Sequence, residues 1–252
     1  MKDFSFQGRI ELGTRQAGGK PTNLIWVGDQ SSCEVRFNTE NADRTETFSG
    51  QRLQSARMRQ STTVELNLVL RYATPHNLQL GLYATPQNVS AASVASEVLP
   101  EGLIAGSRIV LDKPANVTDL VLTDSNGSPV TLEEGEDYRL ESAHSGIIQI
   151  IDVSSLTQPL KAAYKHDAFT VLPFFTAQPP ERYLYLNGVN TVTGERVRMH
   201  LYRVQFNPFD TLALINPEFG ELPLSGSAMF DIETAEDPMF GPFGRIELPA
   251  EV

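Results

Sequence analysis

Apolar and polar residues alternate most regularly in the segment TVELNLVL, residues 63–70. A period of two is typical of an antiparallel strand with one buried face and one exposed face. The segment SSCEVRF, residues 31–37, alternates in the same way and is predicted to pair with it. The residues that we expect to face a core are Val64, Leu66, Leu68 and Leu70 on one strand and Cys33, Val35 and Phe37 on the other. The polar residues expected on the opposite face are Glu34, Arg36, Thr63, Glu65 and Asn67.

Similar strand patterns recur through most of the chain, and one segment predicts a helix. In ATPHNLQLGLYAT, residues 73–85, Thr74 is a helix-capping residue and Pro75 suits the first helical position. The leucines that follow would form a short apolar face on a helix of about ten residues. The predicted fold class is therefore mainly β, with one short helix.

Residues 99–165 are predicted to form a separate, small, sandwich-like β domain. Turn signals such as SNGSP and EEGEDY interrupt its short strand patterns about every ten residues. Longer strand patterns, including DTLALINPEF at residues 210–219, lie outside it, so residues 1–98 and 166–252 are predicted to form one larger β domain around the insertion. The small and polar residues 88–96 are interpreted as a linker.

The polar segment NTENADRTETFSGQRLQSARMRQST, residues 38–62, separates the two most regular strands and is predicted to be a long loop. A loop this long in a compact domain usually has a function or is disordered. Two extended limbs of about ten residues would reach roughly 30 Å, which suits contact with another subunit better than a lid. Charges of both signs would fix the register of such a contact. The expected contact residues are Glu40, Asp43, Arg44, Glu46, Arg52, Arg57 and Arg59.

The composition is that of a folded globular protein, with 40% hydrophobic and 20% charged residues. The net charge is −11, and residues 207–252 hold nine acids and one base. This balance argues against a protein that grips nucleic acid through its phosphates. No apolar run approaches the roughly 18 residues of a membrane span. The opening MKDFSFQGRI contains an acid and no apolar stretch, so no secretory signal is expected.

No pattern typical of catalysis, metal binding or cofactor binding stands out. The four histidines are far apart and lack zinc-ligand spacing, and there is no phosphate-binding glycine loop. The acidic EEGEDY segment lacks the ligand order of a calcium loop and is interpreted as a solvated turn. Cys33, the single cysteine, is interpreted as a core residue rather than a reactive thiol. We therefore expect no cofactor and no enzymatic activity.

Two other functions remain open on the residues alone. Tyr183 and Tyr185 share one strand face and could stack on a sugar, although cross-strand packing is the preferred interpretation. Together with residues 99–165 they would form a two-domain β-sandwich carbohydrate-binding or adhesin module. A glycosidase-like enzyme is the weakest alternative, because its paired carboxylates would meet only in space.

The order of the parts resembles the major tail tube protein of long-tailed bacteriophages of the siphovirus type. The likeness begins with GRIELGTR, VGDQSSCEVRF, the long polar segment and TTVELNLVLRY. It continues in the helix pattern formed by Asn77, Leu78, Leu80 and Leu82. A later G-x-D-Y … G-x-I segment consists of Gly135, Asp137, Tyr138, Gly146 and Ile148.

The resemblance implies a structural virion protein with a tail-tube-type β-sandwich or barrel and long hairpins. Such proteins assemble into hexameric rings that stack into a tail tube, through which the genome is ejected together with the tape-measure protein. In this chain the lumen would be lined by residues 32–38 paired with 61–71 and by residues 183–190 paired with 196–206. The polar face of the first hairpin would be the lumen-facing one, and the long loop would reach the neighbouring ring.

The resemblance also implies partners and a location. Besides itself and the tape-measure protein, the chain would contact tail terminator and tail-tip proteins. DNA would pass through without specific binding, because an acidic or neutral wall lets it slide, and no membrane partner is expected. The protein would reside in the virion tail after assembly in the host bacterial cytoplasm. Arg196, Arg198 and Arg203 lie on or near the second hairpin and are expected to pair with acids across subunit boundaries.

Overall fold

The computed structural model of the chain describes residues 3–16 and 19–250. Strands contain 49% of the residues and helix 3%, which confirms the mainly β prediction. The elements in chain order are β1 (Phe6–Arg15), β2 (Pro21–Trp26), β3 (Gln30–Thr45), β4 (Gln54–Leu70), α1 (Pro75–Leu82), β5 (Gln87–Val89), β6 (Ala92–Val98), β7 (Arg108–Val110), β8 (Thr118–Thr123), β9 (Tyr138–Ser142), β10 (Ile147–Ile150), β11 (Lys161–His166), β12 (Phe169–Val171), β13 (Glu181–Asn190), β14 (Arg196–Phe206), β15 (Leu222–Ala228) and β16 (Gly244–Glu247).

The chain divides into two compact units, residues 1–86 with 172–252 and residues 87–171. The larger unit is built on an antiparallel sheet with the strand order β2-β1-β13-β14-β15-β4-β3, and β16 pairs with β14. β4 lies between β3 and β15, with Leu66 opposite Val35 on one side and Gly226 on the other. The predicted pairing of β3 with β4 and of β13 with β14 is therefore present.

The alternation in β4 corresponds to burial, as predicted. The four apolar side chains predicted to face the core are at most 2% exposed and form one core with residues of β1, β13, β14 and β15. Cys33 and Val35 pack against the same core, whereas Phe37 is mostly exposed although it is paired with Val64. Phe37 therefore marks the point at which the β3–β4 hairpin leaves the core. The buried side chains of β4 are Val64, Leu66, Leu68 and Leu70.

The helix begins where its sequence predicts. The Thr74 side chain accepts a hydrogen bond from the Asn77 backbone N–H, and Pro75 occupies the first helical turn, where a missing N–H costs nothing. Tyr83 ends the helix in the left-handed conformation. Asn77 is fully buried, and its Nδ2 donates to the carbonyl oxygens of Val27 and Tyr72, both at 2.7 Å. This amide fixes α1 to the segments at the base of β3 and β4.

Two segments differ from their sequence-based assignments. Residues 38–62 are mostly strand rather than loop: the β3–β4 ladder continues to the pair Thr45–Gln54, so only residues 46–53 connect the two strands. Both faces of this extension are polar and exposed, so it lacks the alternation that normally reveals a strand. Residues 210–219 are irregular rather than a strand. Their apolar side chains Leu214, Ile215 and Phe219 are exposed, so these apolar residues are not part of the core.

The smaller unit, residues 87–171, is longer at both ends than the predicted 99–165. Residues 87–98, which include the predicted linker 88–96, form β5 and β6, which pair with β12 and β11. Two three-stranded sheets, β7-β10-β9 and β6-β11-β8, contribute to a separate core that includes Leu122, Ile148 and Ala162. The correction has a simple cause: short exposed edge strands made of Ser, Ala and Asn resemble linkers in composition.

Candidate functional site

The extended end of the β3–β4 hairpin projects beyond the core of the larger unit. From residue 38 to residue 60 the side chains are exposed, apart from half-buried Ala42 and buried Glu46. We call residues 38–62 the arm. A two-stranded ribbon is marginal in water by itself. In the single chain this arm therefore depends on its own cross-strand contacts.

Several charged residues of the arm are engaged with one another. Arg57 forms a two-pronged ion pair with Asp43, with Nε 2.7 Å from Oδ1 and Nη2 2.9 Å from Oδ2. The hydrogen bonds from Arg57 hold the pKa of the Asp43 carboxyl below its usual range. The Glu40 carboxylate accepts a hydrogen bond from the Ser61 hydroxyl at 3.0 Å, and Arg44 Nε donates to Ser55 Oγ at 3.3 Å. These contacts hold the two strands of the arm in register.

Glu46 organises the tip of the arm. Its carboxylate accepts hydrogen bonds from the backbone N–H groups of Phe48 and Ser49, both at 2.9 Å, from that of Leu53 at 3.3 Å, and from the Ser49 hydroxyl. These bonds, led by the one from the Ser49 hydroxyl, lower the pKa of Glu46 to about 2. The side chain is buried within the turn. In the single chain the charge of Glu46 is satisfied inside the tip, and its contact with another subunit stays a prediction.

The tip, residues 46–53, presents one basic and two apolar side chains to solvent. Phe48 is 90% exposed and Leu53 57% exposed. Arg52 has a φ of 52°, in the left-handed region that a non-glycine residue enters at a cost of about 1 kcal/mol or more. Neither Arg52 nor Arg59 has an ion pair among residues 3–16 and 19–250. Of the seven predicted contact charges, these two arginines are the most available for a partner.

The five polar residues predicted for one face of the hairpin do lie together. The register pairs Glu34 with Asn67 and Arg36 with Glu65, and Thr63 follows on the same side of β4. Arg36 Nη2 lies 3.7 Å from Glu34 Oε2, and both side chains are largely exposed. The face continues onto β15, where Ser225 and Ser227 are the partners of Asn67 and Glu65. The result is an exposed polar strip with charges of both signs.

Arginines of the second hairpin pair within the chain. Arg203 holds Glu181 with Nη2–Oε1 and Nε–Oε2 distances of 2.6 and 3.0 Å, and Arg198 Nη1 lies 3.6 Å from Glu247 Oε2. These partners are acids of β13 and β16 of the same chain, and pairing of the two arginines across a subunit boundary stays a prediction. The sequence-based interpretation missed β16 and therefore missed Glu247.

The tyrosine pair predicted as a possible sugar platform is part of the packing. Tyr183 is 3% exposed, and its hydroxyl lies 2.8 Å from His200 Nδ1. Burial raises the pKa of Tyr183 to about 12 and lowers that of His200. The Tyr185 ring packs on His200, with centroids 4.8 Å apart. Tyr183 therefore offers no free face to a sugar.

The remaining candidates for chemistry are structural. Burial raises the pKa of Cys33 to about 11, so its thiol stays protonated. In the EEGEDY turn, Asp137 Oδ2 accepts from the Glu133 backbone N–H at 2.8 Å, and Gly135 has a φ of 98°. No group of three or more metal-ligating side chains occurs in the part of the chain that the structure describes. The one helix there, α1, is too short to span a membrane.

A groove lies at the end of the hairpin opposite the tip. It has a volume of about 1030 Å³ and is bounded by the base of β3 and β4 and by the irregular segment 211–221. Its charged side chains are Asp29, Arg71, Glu218 and Glu221. Arg71 lies 2.9 Å from Asp29 and 3.8 Å from Glu221, whereas Glu218 forms no ion pair within the described residues. We call this the base groove. Its apolar lining consists of Val69, Tyr72, Ala213, Phe219 and Pro223.

The fold and these surfaces define a mainly β protein with a projecting two-stranded arm and a charged, partly apolar groove at the opposite end of the same hairpin. The chain belongs to the family described as "Protein of unknown function UCP028589", whose pattern matches residues 3–247. No curated protein matches the chain.

Proposed function

We propose that this protein is a structural virion protein that forms hexameric rings, which stack into the tail tube of a long-tailed bacteriophage. The tube would be a conduit for the genome and the tape-measure protein. The resemblance in the order of strands, arm and helix suggests this class, and the surfaces of the larger unit support it.

The observation that carries the proposal is the arm. Two strands run well beyond the core, their polar side chains are exposed on both faces, and the tip is held in one conformation by Glu46. A preformed tip loses little conformational freedom on docking, which favours binding to a partner. A disordered tether would need none of these contacts.

Two further features favour assembly of several copies. β2 and β3 are the end strands of the sheet order, and open edges of this kind readily pair with another chain. The larger unit also exposes several large apolar side chains, which is typical of surfaces that become covered. Examples are Phe48, Leu214, Ile215, Phe219, Ile232 and Met239.

Negative-stain electron microscopy of the purified full chain tests the proposal. We expect six-fold rings at low concentration and stacked tubes as the concentration rises. A protein that stays monomeric at millimolar concentration, with no six-fold particles, would contradict the proposed function.

A shortened-arm variant tests the role of the arm within the assembly. Residues 41–60 are replaced by Asn-Gly, a two-residue turn that closes a hairpin on the existing pair Glu40–Ser61. We expect cooperative thermal unfolding, which shows that the core is intact, and rings that no longer stack. Long tubes formed by this variant would show that the arm has another role.

A further inference from the structure

The tip and the base groove lie at opposite ends of one hairpin. The β3–β4 ladder runs from the pair Gln30–Leu70 at the groove to the pair Thr45–Gln54 at the tip. Its 16 residues on β3, at about 3.3 Å each, separate the two ends by roughly 50 Å. Two complementary surfaces so far apart on one copy cannot meet each other, but they can meet between copies. A contact of this kind is head-to-tail, and it repeats without closing if the copies are related by translation.

The charges of the two ends are opposite. The arm contains four arginines and three acids, a net charge of +1, in a chain whose net charge is −11. Asp43 and Glu46 are satisfied inside the arm, so the tip itself presents Arg52 as its exposed charge. The base groove holds three acids, Asp29, Glu218 and Glu221, against the single Arg71. Arg71 contacts Asp29 and Glu221, which leaves Glu218 as the acid without an ion pair within the described part of the chain.

The apolar parts of the two surfaces also match. Phe48 and Leu53 flank the exposed arginine at the tip, and Phe219 stands fully exposed at the groove. Aromatic and arginine side chains dominate the energetics of protein interfaces when they enter a pocket and lose their water. Arg52 has a left-handed backbone conformation, which glycine would adopt without strain. The turn nevertheless has a long basic side chain at this position.

We infer that the base groove of one copy is the receptor for the arm tip of the next copy, with Arg52 paired to Glu218 and with Phe48 packed against Phe219. This inference rests on the proposed function and names the acceptor site for its stacking contact. The occupant of the groove is a second copy of this chain, because the tip supplies a positive charge for Glu218 and apolar side chains that match the apolar lining of the groove. Higher salt weakens the contact, because its ion pair is formed near the surface.

Charge reversal on each side, followed by recombination, tests the inference. Arg52→Glu and Glu218→Arg each place like charges at the contact, and we expect each to raise the concentration needed for tube growth at least about tenfold while rings still form. The double variant Arg52→Glu/Glu218→Arg restores opposite charges and should restore tube growth. Lys113→Glu and Glu101→Arg, in the smaller unit, are controls with the same changes in net charge. Circular dichroism checks the fold of every variant.

Phe48→Ala tests the same contact without changing any charge, and we expect it also to raise the concentration needed for tube growth. The outcomes separate the two proposals. If the unaltered chain forms neither rings nor tubes, the proposed function is wrong. If it forms tubes, the shortened-arm variant does not, and Glu218→Arg still does, then the arm docks on another surface and the inference is overturned. Failure of the double variant to restore growth also overturns it.

Discussion

At the tip of the arm, the carboxylate of Glu46 lies among backbone N–H groups that no strand partner satisfies. The Glu46 carboxylate accepts hydrogen bonds from these N–H groups, much as a capping carboxylate does at the start of a helix. Hydrogen bonds to the charged form favour ionisation, so the same contacts that shape the turn lower the pKa of Glu46 to about 2. The geometry of the tip is therefore coupled to the charge of a single residue.

Acidification should loosen the tip only well below the ordinary titration range of a glutamate. The pKa of Glu46 falls from 4.5 to about 2 in the folded chain, so its contribution is complete above pH 4.5 and is lost as the pH falls through about 2. We expect the amide proton shifts of Phe48 and Ser49 to stay constant from neutral pH to about pH 4 and then to move with a midpoint near pH 2.

Two controls distinguish titration of Glu46 from global unfolding of the chain. Amide protons of the core strand β13 report global unfolding, which would move both regions together. Glu46→Gln removes the titrating group while keeping an acceptor, and its tip amides should show no such midpoint. A midpoint near 4.5 in the unaltered chain would mean that the carboxylate is not held by the turn.

Some residues could be assigned from the sequence and others could not. Period-two alternation fixes which side of a strand each residue occupies, so the shared face of Glu34, Arg36 and Glu65 follows from the sequence alone. Glu46 looked like one more surface acid, because the donors around it exist only once the turn has formed. Asn77 was similarly hidden, since its burial depends on the Val27 and Tyr72 carbonyls that tertiary packing brings to it.

Among the strands, too, some could be predicted from the sequence and others could not. Strands with one buried face were predictable because their apolar and polar residues alternate. The arm is exposed on both faces and therefore has no such alternation. Residues 210–219 were assigned as a strand because apolar residues cluster there. In the structure Pro217 and Gly220 interrupt or bound that segment, and its apolar side chains form surface instead of core.

α1 and the irregular segment beyond β14 meet at Gly81. The Phe209 backbone N–H donates to the Gly81 carbonyl oxygen at 2.9 Å, and a Cβ added to Gly81 would lie 2.4 Å from Cδ2 of the Phe209 ring. Alanine is favoured over glycine in a helix by about 1 kcal/mol. Overpacking of a partly buried aromatic ring costs about 1–3 kcal/mol, so the clash outweighs the helix preference.

Gly81→Ala is therefore expected to destabilise the larger unit by roughly 1 kcal/mol and to displace the segment that lines the base groove. Urea unfolding followed by tryptophan fluorescence measures the first effect, because Trp26 lies in this unit. Gly127→Ala, in the smaller unit, should leave this transition unchanged, since no atom lies within 4 Å of its added Cβ. Equal or greater stability for Gly81→Ala would show that Phe209 moves aside freely.

At the scale of the whole molecule, the two units have separate cores and the smaller one is inserted into the larger. The buried residues around Leu66 and those around Ile148 form distinct clusters. The smaller unit begins and ends in the β5–β12 ladder, where Gln87 is the partner of Val171. Partners in an antiparallel ladder have Cα atoms about 5 Å apart, so the two ends of the insertion are adjacent. The arm and the base groove both belong to the larger unit.

Removal of residues 87–171, with Pro86 joined to Leu172 through a Gly-Ser link, is therefore expected to leave a folded larger unit that still forms rings and tubes. Because the two ends are adjacent, a short link can join Pro86 to Leu172 without distorting the larger unit. Thermal unfolding should remain cooperative, and residues 87–171 expressed alone should unfold cooperatively as well, because each unit keeps its own core. A folded deletion variant that no longer assembles would place essential assembly contacts in the smaller unit, and a deletion variant without cooperative unfolding would show that the two cores depend on each other.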